Sequence, residues 1–158
     1  MALLVPLVAL VLAVVAAAPA RRAAAAPARC SPHPPAHVKP SAWKATRHVI
    51  APHGASAVRL CRYSGLGDTP GALLRDVEVT RPKVVRRLVR RLDALPPAAG
   101  MYACPNDDGR QVVAHFAYPD GHHLTVAVGL SGCRIATNGR LAGIATPALL
   151  RQLRRLTA

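Results

Sequence analysis

The chain has 158 residues, which allows one compact domain with a tail and excludes a large multidomain enzyme. Lys and Arg number 21 against 7 Asp and Glu, so the formal net charge is +14 and an anionic partner is favoured over a cation. Hydrophobic residues make up 51% of the sequence but aromatic residues only 3%, which indicates a small, aliphatic core.

The first 20 residues resemble a secretory signal peptide in composition. An uncharged run from Leu3 to Ala18 is followed by Ala18-Pro19-Ala20, which fits the small-residue rule for signal peptidase. No Lys or Arg precedes the run, so an uncleaved membrane anchor is the alternative, although the run is just short of the about 20 apolar residues that span a bilayer. We predict a signal peptide at residues 1–20 and a secreted protein, either extracellular or associated with the cell envelope.

Residues 21–55 are rich in Pro, Ala, Arg and His and show no apolar period. This composition predicts an extended or disordered linker, from which Trp43 is the residue expected to pack onto the domain. The folded part is then a single domain at residues 56–158.

The domain begins with a predicted strand at residues 57–63, in which Val58, Leu60 and Arg62 point one way and Arg59, Cys61 and Tyr63 the other. After a loop, residues 80–95 have the period of an amphipathic helix, with Thr80 as the N-cap and Pro82 in the first turn.

Three further strands are predicted at residues 111–118, 123–130 and 133–137, the first two joined by the turn Pro119-Asp120-Gly121. A C-terminal helix opens on Thr146 as N-cap and Pro147 as first residue. The order β-α-β-β-β-α predicts an α+β fold, an antiparallel sheet of about four strands with two amphipathic helices.

Four cysteines in the exported part allow two disulfides in three pairings: Cys30, Cys61, Cys104 and Cys133. No pair has the CxxC spacing, which argues against a thioredoxin-like redox site and a zinc ribbon. Cys104 and Cys133 bracket the predicted hairpin, so they are expected to pair, and elimination leaves Cys30 with Cys61.

The largest candidate site is the cationic face of the first helix, because like charges on one face repel each other and a bound polyanion would relieve that repulsion. The alternative is an ordinary solvated face in an arginine-rich sequence. An exported protein would meet anionic lipid headgroups or phosphate-bearing wall polymers, whereas nucleic-acid binding would require stacking aromatics that this helix lacks. A protein partner is also left open, as is the oligomeric state. The candidate anion-binding residues are Lys83, Arg86, Arg87, Arg90 and Arg91.

We predict no catalytic, cofactor-binding or metal-binding residues. Gly129-Leu130-Ser131-Gly132-Cys133 lacks the last glycine of a GxSxG elbow, and the sequence has no glycine-rich phosphate loop and no HExxH. His122 and His123 are adjacent on a predicted strand, so at most one of them can join His115 in a metal site. The turn Asn106-Asp107-Asp108-Gly109 offers too few oxygen ligands for calcium. We therefore predict a non-enzymatic binding module.

Residues 57–157 contain several short motifs in a fixed order: Leu60-Cys61-Arg62-Tyr63, Leu92-Asp93-Ala94-Leu95-Pro96, Cys104-Pro105-Asn106-Asp107-Asp108-Gly109, Phe116-Ala117-Tyr118-Pro119-Asp120-Gly121, Gly132-Cys133 and Thr137-Asn138-Gly139. In these motifs the chain resembles a group of small exported proteins of actinomycetes, a resemblance that implies export but neither an activity nor catalytic residues.

A second, looser resemblance is to the subtilisin inhibitors of the same bacteria, which are small, exported and held by two disulfides. Ala103-Cys104-Pro105 is similar to their Met-Cys-Pro segment, but the closely spaced second cysteine pair of that family is missing. This resemblance implies the alternative function of a secreted protease inhibitor, with residues 96–106 as the inhibitory loop.

Overall fold

The computed structural model describes residues 25–67, 69–100 and 104–158. Within these residues the chain folds as α+β, with one antiparallel sheet in the order β2-β1-β3-β4-β5-β6 and two helices on one of its faces. A short 3₁₀ helix, Lys44–Arg47, precedes the first strand. The elements are β1 (Ala57–Tyr63), β2 (Leu73–Val79), α1 (Pro82–Asp93), β3 (Gln111–Ala117), β4 (His123–Gly129), β5 (Ile135–Thr137), β6 (Ala142–Ile144) and α2 (Pro147–Leu156).

The predicted signal peptide, residues 1–20, lies outside the described residues. No helix of the described residues is long and apolar enough to cross a membrane.

The sheet buries its helix-facing side because apolar residues alternate along its three central strands. Val58 and Leu60 of β1 lie opposite Phe116 and Ala114 of β3, and all four are at most 1% exposed. Alternate residues of β4, from Leu124 to Val128, continue this side and are at most 3% exposed. Together with the inner faces of α1 and α2 they form the main core, whose burial is the chief stabilising contribution.

The two helices begin differently from each other. In α2, Thr146 is the N-cap as predicted, and its side chain accepts a hydrogen bond from the Leu149 amide at 3.4 Å. In α1 the N-cap is Arg81 and no side chain caps the helix, so the predicted N-cap Thr80 is wrong by one residue. Proline prefers the first helical position, and Pro82 occupies it here.

The sheet has six strands rather than the predicted four. β2 is an edge strand with one neighbour, and most of its side chains are exposed, so charges at Arg75, Asp76 and Glu78 obscure its alternation. β6 has only three residues, with Gly143 in the middle, which is too short to show a period.

The N-terminal segment differs most from the prediction, because residues 25–55 lie against the domain instead of forming a free linker. Trp43 packs edge-on against Tyr118, with ring centroids 4.7 Å apart, as expected for this one residue. The Tyr118 hydroxyl donates to the Pro52 carbonyl at 2.9 Å, and the Asn138 amide donates to three carbonyls between Thr46 and Ile50. The acceptors in these hydrogen bonds are backbone carbonyls, so the hydrophobic pattern of the sequence does not predict them.

Residues 29–40, here called the strap, cross the sheet face opposite the helices. At one end, the Tyr63 hydroxyl donates to the Ser31 carbonyl at 2.9 Å and the Leu73 amide donates to the Pro32 carbonyl at 3.2 Å. At the other end the strap lies over Gly139, where a β-carbon would come within 2.2 Å of the Val38 carbonyl oxygen. Gly139 has φ +85°, so glycine is needed there for both its conformation and its size.

Both disulfides have the predicted pairing. Cys30 is bonded to Cys61, 31 residues away, and Cys104 to Cys133, 29 residues away. Cys61 is fully buried on the strap side of the sheet beside Tyr63 and Val113. Two disulfides are typical of proteins that fold in an oxidising environment.

We expect Gly143→Ala to lower the free energy of unfolding by about 1–3 kcal/mol through overpacking. A β-carbon at Gly143 would lie 2.7 Å from Leu95 Cβ and 3.0 Å from Ile50 Cδ1, both in the core. Urea denaturation measures the loss. Gly129→Ala is the matched control, because a β-carbon there meets its nearest neighbour at 3.6 Å, and an equal loss in both variants would contradict the packing explanation.

Candidate functional site

The solvent side of α1 carries all five predicted anion-binding residues, and the neighbouring helix α2 adds three more cations. Five cations of α1 and three of α2 make up this surface, here called the cationic layer. They are Lys83, Arg86, Arg87, Arg90 and Arg91 of α1, with Arg151, Arg154 and Arg155 of α2. All are exposed except Arg91, which is half-buried.

Arg91 connects the two helices. Its Nη1 donates to the Ala148 carbonyl at 3.1 Å and to Gln152 Oε1 at 2.6 Å. Of the five arginines and lysines predicted to bind anions, Arg91 is therefore the one already engaged in the fold, and the remaining four are directed to solvent.

A groove of about 180 Å³ runs between the helices beside this contact. Arg87 and Arg91 line it from α1, and Arg155 lines it from α2. The fold thus brings Arg155 into the same groove as Arg87 and Arg91, which are more than 60 positions away in the sequence.

Carboxylates that could neutralise the cationic layer lie elsewhere. Asp93 is the only acidic residue of the two helices, and its Oδ2 is 3.8 Å from His53 Nε2. Asp76 and Glu78 pair with Arg59 on the other side of the sheet, and Asp108 pairs with Arg110 at 2.6 Å. Among the described residues, no ion pair involves any member of the cationic layer.

The histidines considered as metal ligands have different contacts. His122 stacks on Trp43 with centroids 4.5 Å apart, whereas His123 is paired with Ala117 in the sheet. His115 Nδ1 lies 3.0 Å from Thr125 Oγ1 on the strap side. Burial lowers the pKa of His115, and the positive charge of Arg59 lowers it further, so the ring is neutral at neutral pH. Over the described ranges, no three His, Cys, Asp or Glu side chains form a group that could hold a metal.

The acidic turn after Cys104 is held by Ser131. The Ser131 hydroxyl hydrogen-bonds the carboxylates of Asp107, at 3.1 Å, and Asp108. This hydroxyl and the Arg110 amide lower the pKa of the Asp108 carboxyl. In the described structure, the side chain of Ser131 therefore stabilises this turn.

The segment proposed as an inhibitory loop is partly hydrogen-bonded to β6. The Ile144 amide donates to the Pro96 carbonyl and the Ala98 amide to the Ala142 carbonyl, both at 2.9 Å, so Pro97 forms an isolated β-bridge with Gly143. Residues 101–103 of this segment lie outside the described part of the chain. Protease inhibition stays a prediction that these contacts do not favour.

Comparison with known proteins adds no assignment, because no family model, no curated protein and no solved structure matches this chain. The resemblance to exported actinomycete proteins accordingly stays a prediction from its motifs.

Proposed function

We propose that this protein is a secreted, non-catalytic module that binds phosphate-bearing anionic surfaces of the cell envelope through the cationic layer. The observation that carries the proposal is the eight-cation surface of α1 and α2. The two helices together contain one carboxylate, that of Asp93, and no cation of this surface forms an ion pair among the described residues. An exposed layer of this kind repels itself, and an anionic surface would relieve that repulsion.

The expected strength follows from the number of cations. Each Lys or Arg near an anionic membrane contributes about 1 kcal/mol, and the contribution falls off within a Debye length of about 8–10 Å. The seven exposed members lie on two helices packed against the same sheet face, so several can approach one surface together. Such binding is multivalent and sensitive to salt.

Phosphate is the favoured anion because lipid headgroups and wall polymers both present it outside the cytoplasm. Arginine suits phosphate, since its planar guanidinium can donate two parallel hydrogen bonds. Nucleic acid is not proposed, because single-strand binding relies on aromatic platforms and neither helix contains Phe, Tyr or Trp. The two disulfides support folding in an oxidising environment.

We expect the protein, produced in an exporting host with its own N-terminal segment, to sediment with vesicles that contain phosphatidylglycerol and not with phosphatidylcholine vesicles. Changing Lys83, Arg86, Arg87 and Arg90 together to Gln should weaken this binding at least about tenfold at low salt. These four side chains are exposed, so the fold should persist, and Arg91 is kept because it joins the helices.

The matched control removes the same charges from other parts of the surface. Lys44, Arg47, Arg75 and Arg140 are also exposed, one lysine and three arginines, and none belongs to the cationic layer. Changing them to Gln should leave most of the binding intact. An equal loss in both variants would show that net charge alone is responsible and would refute a specific surface, and binding that persists in about 1 M salt would argue against electrostatic attachment. Soluble teichoic-acid-type polymer as a competitor distinguishes wall polymer from lipid.

A further inference from the structure

A second candidate site lies on the opposite side of the molecule, between the strap and the sheet. A cavity of about 510 Å³ opens there, within the range of about 300–1,000 Å³ that is usual for small-molecule sites. Nitrogen-bearing side chains dominate its polar lining. The strap contributes Arg29, His33, His37 and Lys39, and the sheet contributes His115 and Thr125.

The cavity has fixed walls. The disulfide Cys30–Cys61 joins the strap to β1, and His33 Nδ1 donates to the Gly71 carbonyl at 3.3 Å. At the far end the Val38 carbonyl rests on Gly139. A cavity formed in advance spares a ligand the cost of ordering the chain that surrounds it.

The electrostatics of the cavity favour an anion. None of the residues that line it is Asp or Glu. The carboxylates of Asp76 and Glu78 lie on the neighbouring strand β2, outside the cavity, and share the one positive charge of Arg59, which partly offsets theirs. The lining itself therefore carries the positive charges of Arg29 and Lys39 and no carboxylate.

Part of the lining is apolar. Pro34, Pro35 and Val38 of the strap and the buried ring of Tyr63 face the cavity. A bare inorganic ion would leave these surfaces without a partner, whereas a ligand with a hydrocarbon body would cover them. The neutral His115, fixed by Thr125, offers a ring nitrogen for a hydrogen bond.

We propose that the cavity beneath the strap binds a small organic anion, whose charged group interacts with the lining cations Arg29 and Lys39 and whose apolar body covers the prolines of the strap. This site is separate from the cationic layer, and neither depends on the other.

The test uses anilinonaphthalenesulfonate, a fluorescent aromatic anion, and the neutral N-phenylnaphthylamine, which has nearly the same body without the sulfonate. We expect the sulfonate to bind at one saturable site and the neutral probe to bind at least about tenfold more weakly, because only the sulfonate interacts with the two cations. Changing Arg29 and Lys39 to Gln should weaken sulfonate binding at least about tenfold. Both side chains are exposed, so the fold should be unaffected, which far-UV circular dichroism checks.

Two controls separate this site from others. Lys44 and Arg47 are exposed, lie just beyond the strap and do not line the cavity, so changing this pair to Gln should leave sulfonate binding unchanged. The variant of the cationic layer described above should also keep it. The proposal is overturned by any of three results: no saturable sulfonate binding, equal binding of the neutral probe, or a loss of binding that follows the cationic layer instead of Arg29 and Lys39.

Discussion

Replacing Cys30 and Cys61 together with alanine is expected to lower the free energy of unfolding by about 3–4 kcal/mol. The two residues are 31 apart, and constraint of a loop of that length in the unfolded chain contributes about this much in the chain-entropy model. Cys61 is fully buried, so loss of its sulfur also removes packing against Tyr63 and Val113. Chemical denaturation of the variant and of the parent protein measures the difference.

The same variant should release the strap locally. The Leu73 amide donates to the Pro32 carbonyl, two residues beyond Cys30, so its hydrogen exchange should accelerate more than that of amides in β3 and β4. The control is Cys104→Ala with Cys133→Ala, which opens a loop of nearly equal length, 29 residues, in another part of the fold. It should lose comparable stability but leave Leu73 exchange in step with the rest of the sheet. If the first variant lost less than about 1 kcal/mol and Leu73 stayed protected, the hydrogen bonds of the strap would be sufficient without the disulfide.

The strands and helices were predictable where burial requires apolar residues at regular intervals. In β1, β3 and β4 every second residue faces the helices, and most of these residues are apolar, although β1 and β3 also bury Cys61 and Val113 on the strap side. The inner faces of α1 and α2 show the helical period for the same reason. β2 and β6 lie at the edges of the sheet, where fewer side chains need to be apolar. Their formation depends on pairing with β1 and β5, which the residue pattern of β2 or β6 alone does not encode.

The two candidate sites also differ in how far the sequence predicts them. The cationic face of α1 was predictable because exposed charges follow the helical period, although the structural role of Arg91 depends on Gln152 of the other helix. The cavity beneath the strap was not predictable. His33 and Lys39 lie in a segment whose apolar residues show no regular spacing. They line the same cavity as His115 because backbone hydrogen bonds and a disulfide hold the strap against the sheet.

Asn138→Ala is expected to lower the free energy of unfolding by about 2–4 kcal/mol, a large effect for one polar residue. Asn138 is 1% exposed, and its side-chain nitrogen lies 3.2 Å from each of the carbonyl oxygens of Thr46, Val49 and Ile50. Its side-chain oxygen accepts from the amides of Arg140 and Leu141 at 2.9 and 2.8 Å. Truncation leaves these backbone groups without partners inside the fold, and the segment that carries Trp43 loses its attachment to the β5–β6 turn.

Asn138→Asp tests which half of the amide matters, because it keeps the shape and the acceptor oxygen but replaces the donor. The ionised carboxylate would face the carbonyl oxygens of Thr46, Val49 and Ile50, so its pKa in the folded protein should rise above the unfolded value of about 3.9. A raised folded pKa means that the folded state binds the proton more tightly. The destabilisation relative to the parent protein should therefore be smallest below about pH 3.9 and should grow as pH rises through the folded pKa. Denaturation of both proteins across this range measures the difference, and a constant difference at every pH would mean that the three carbonyls do not depend on the Asn138 donor.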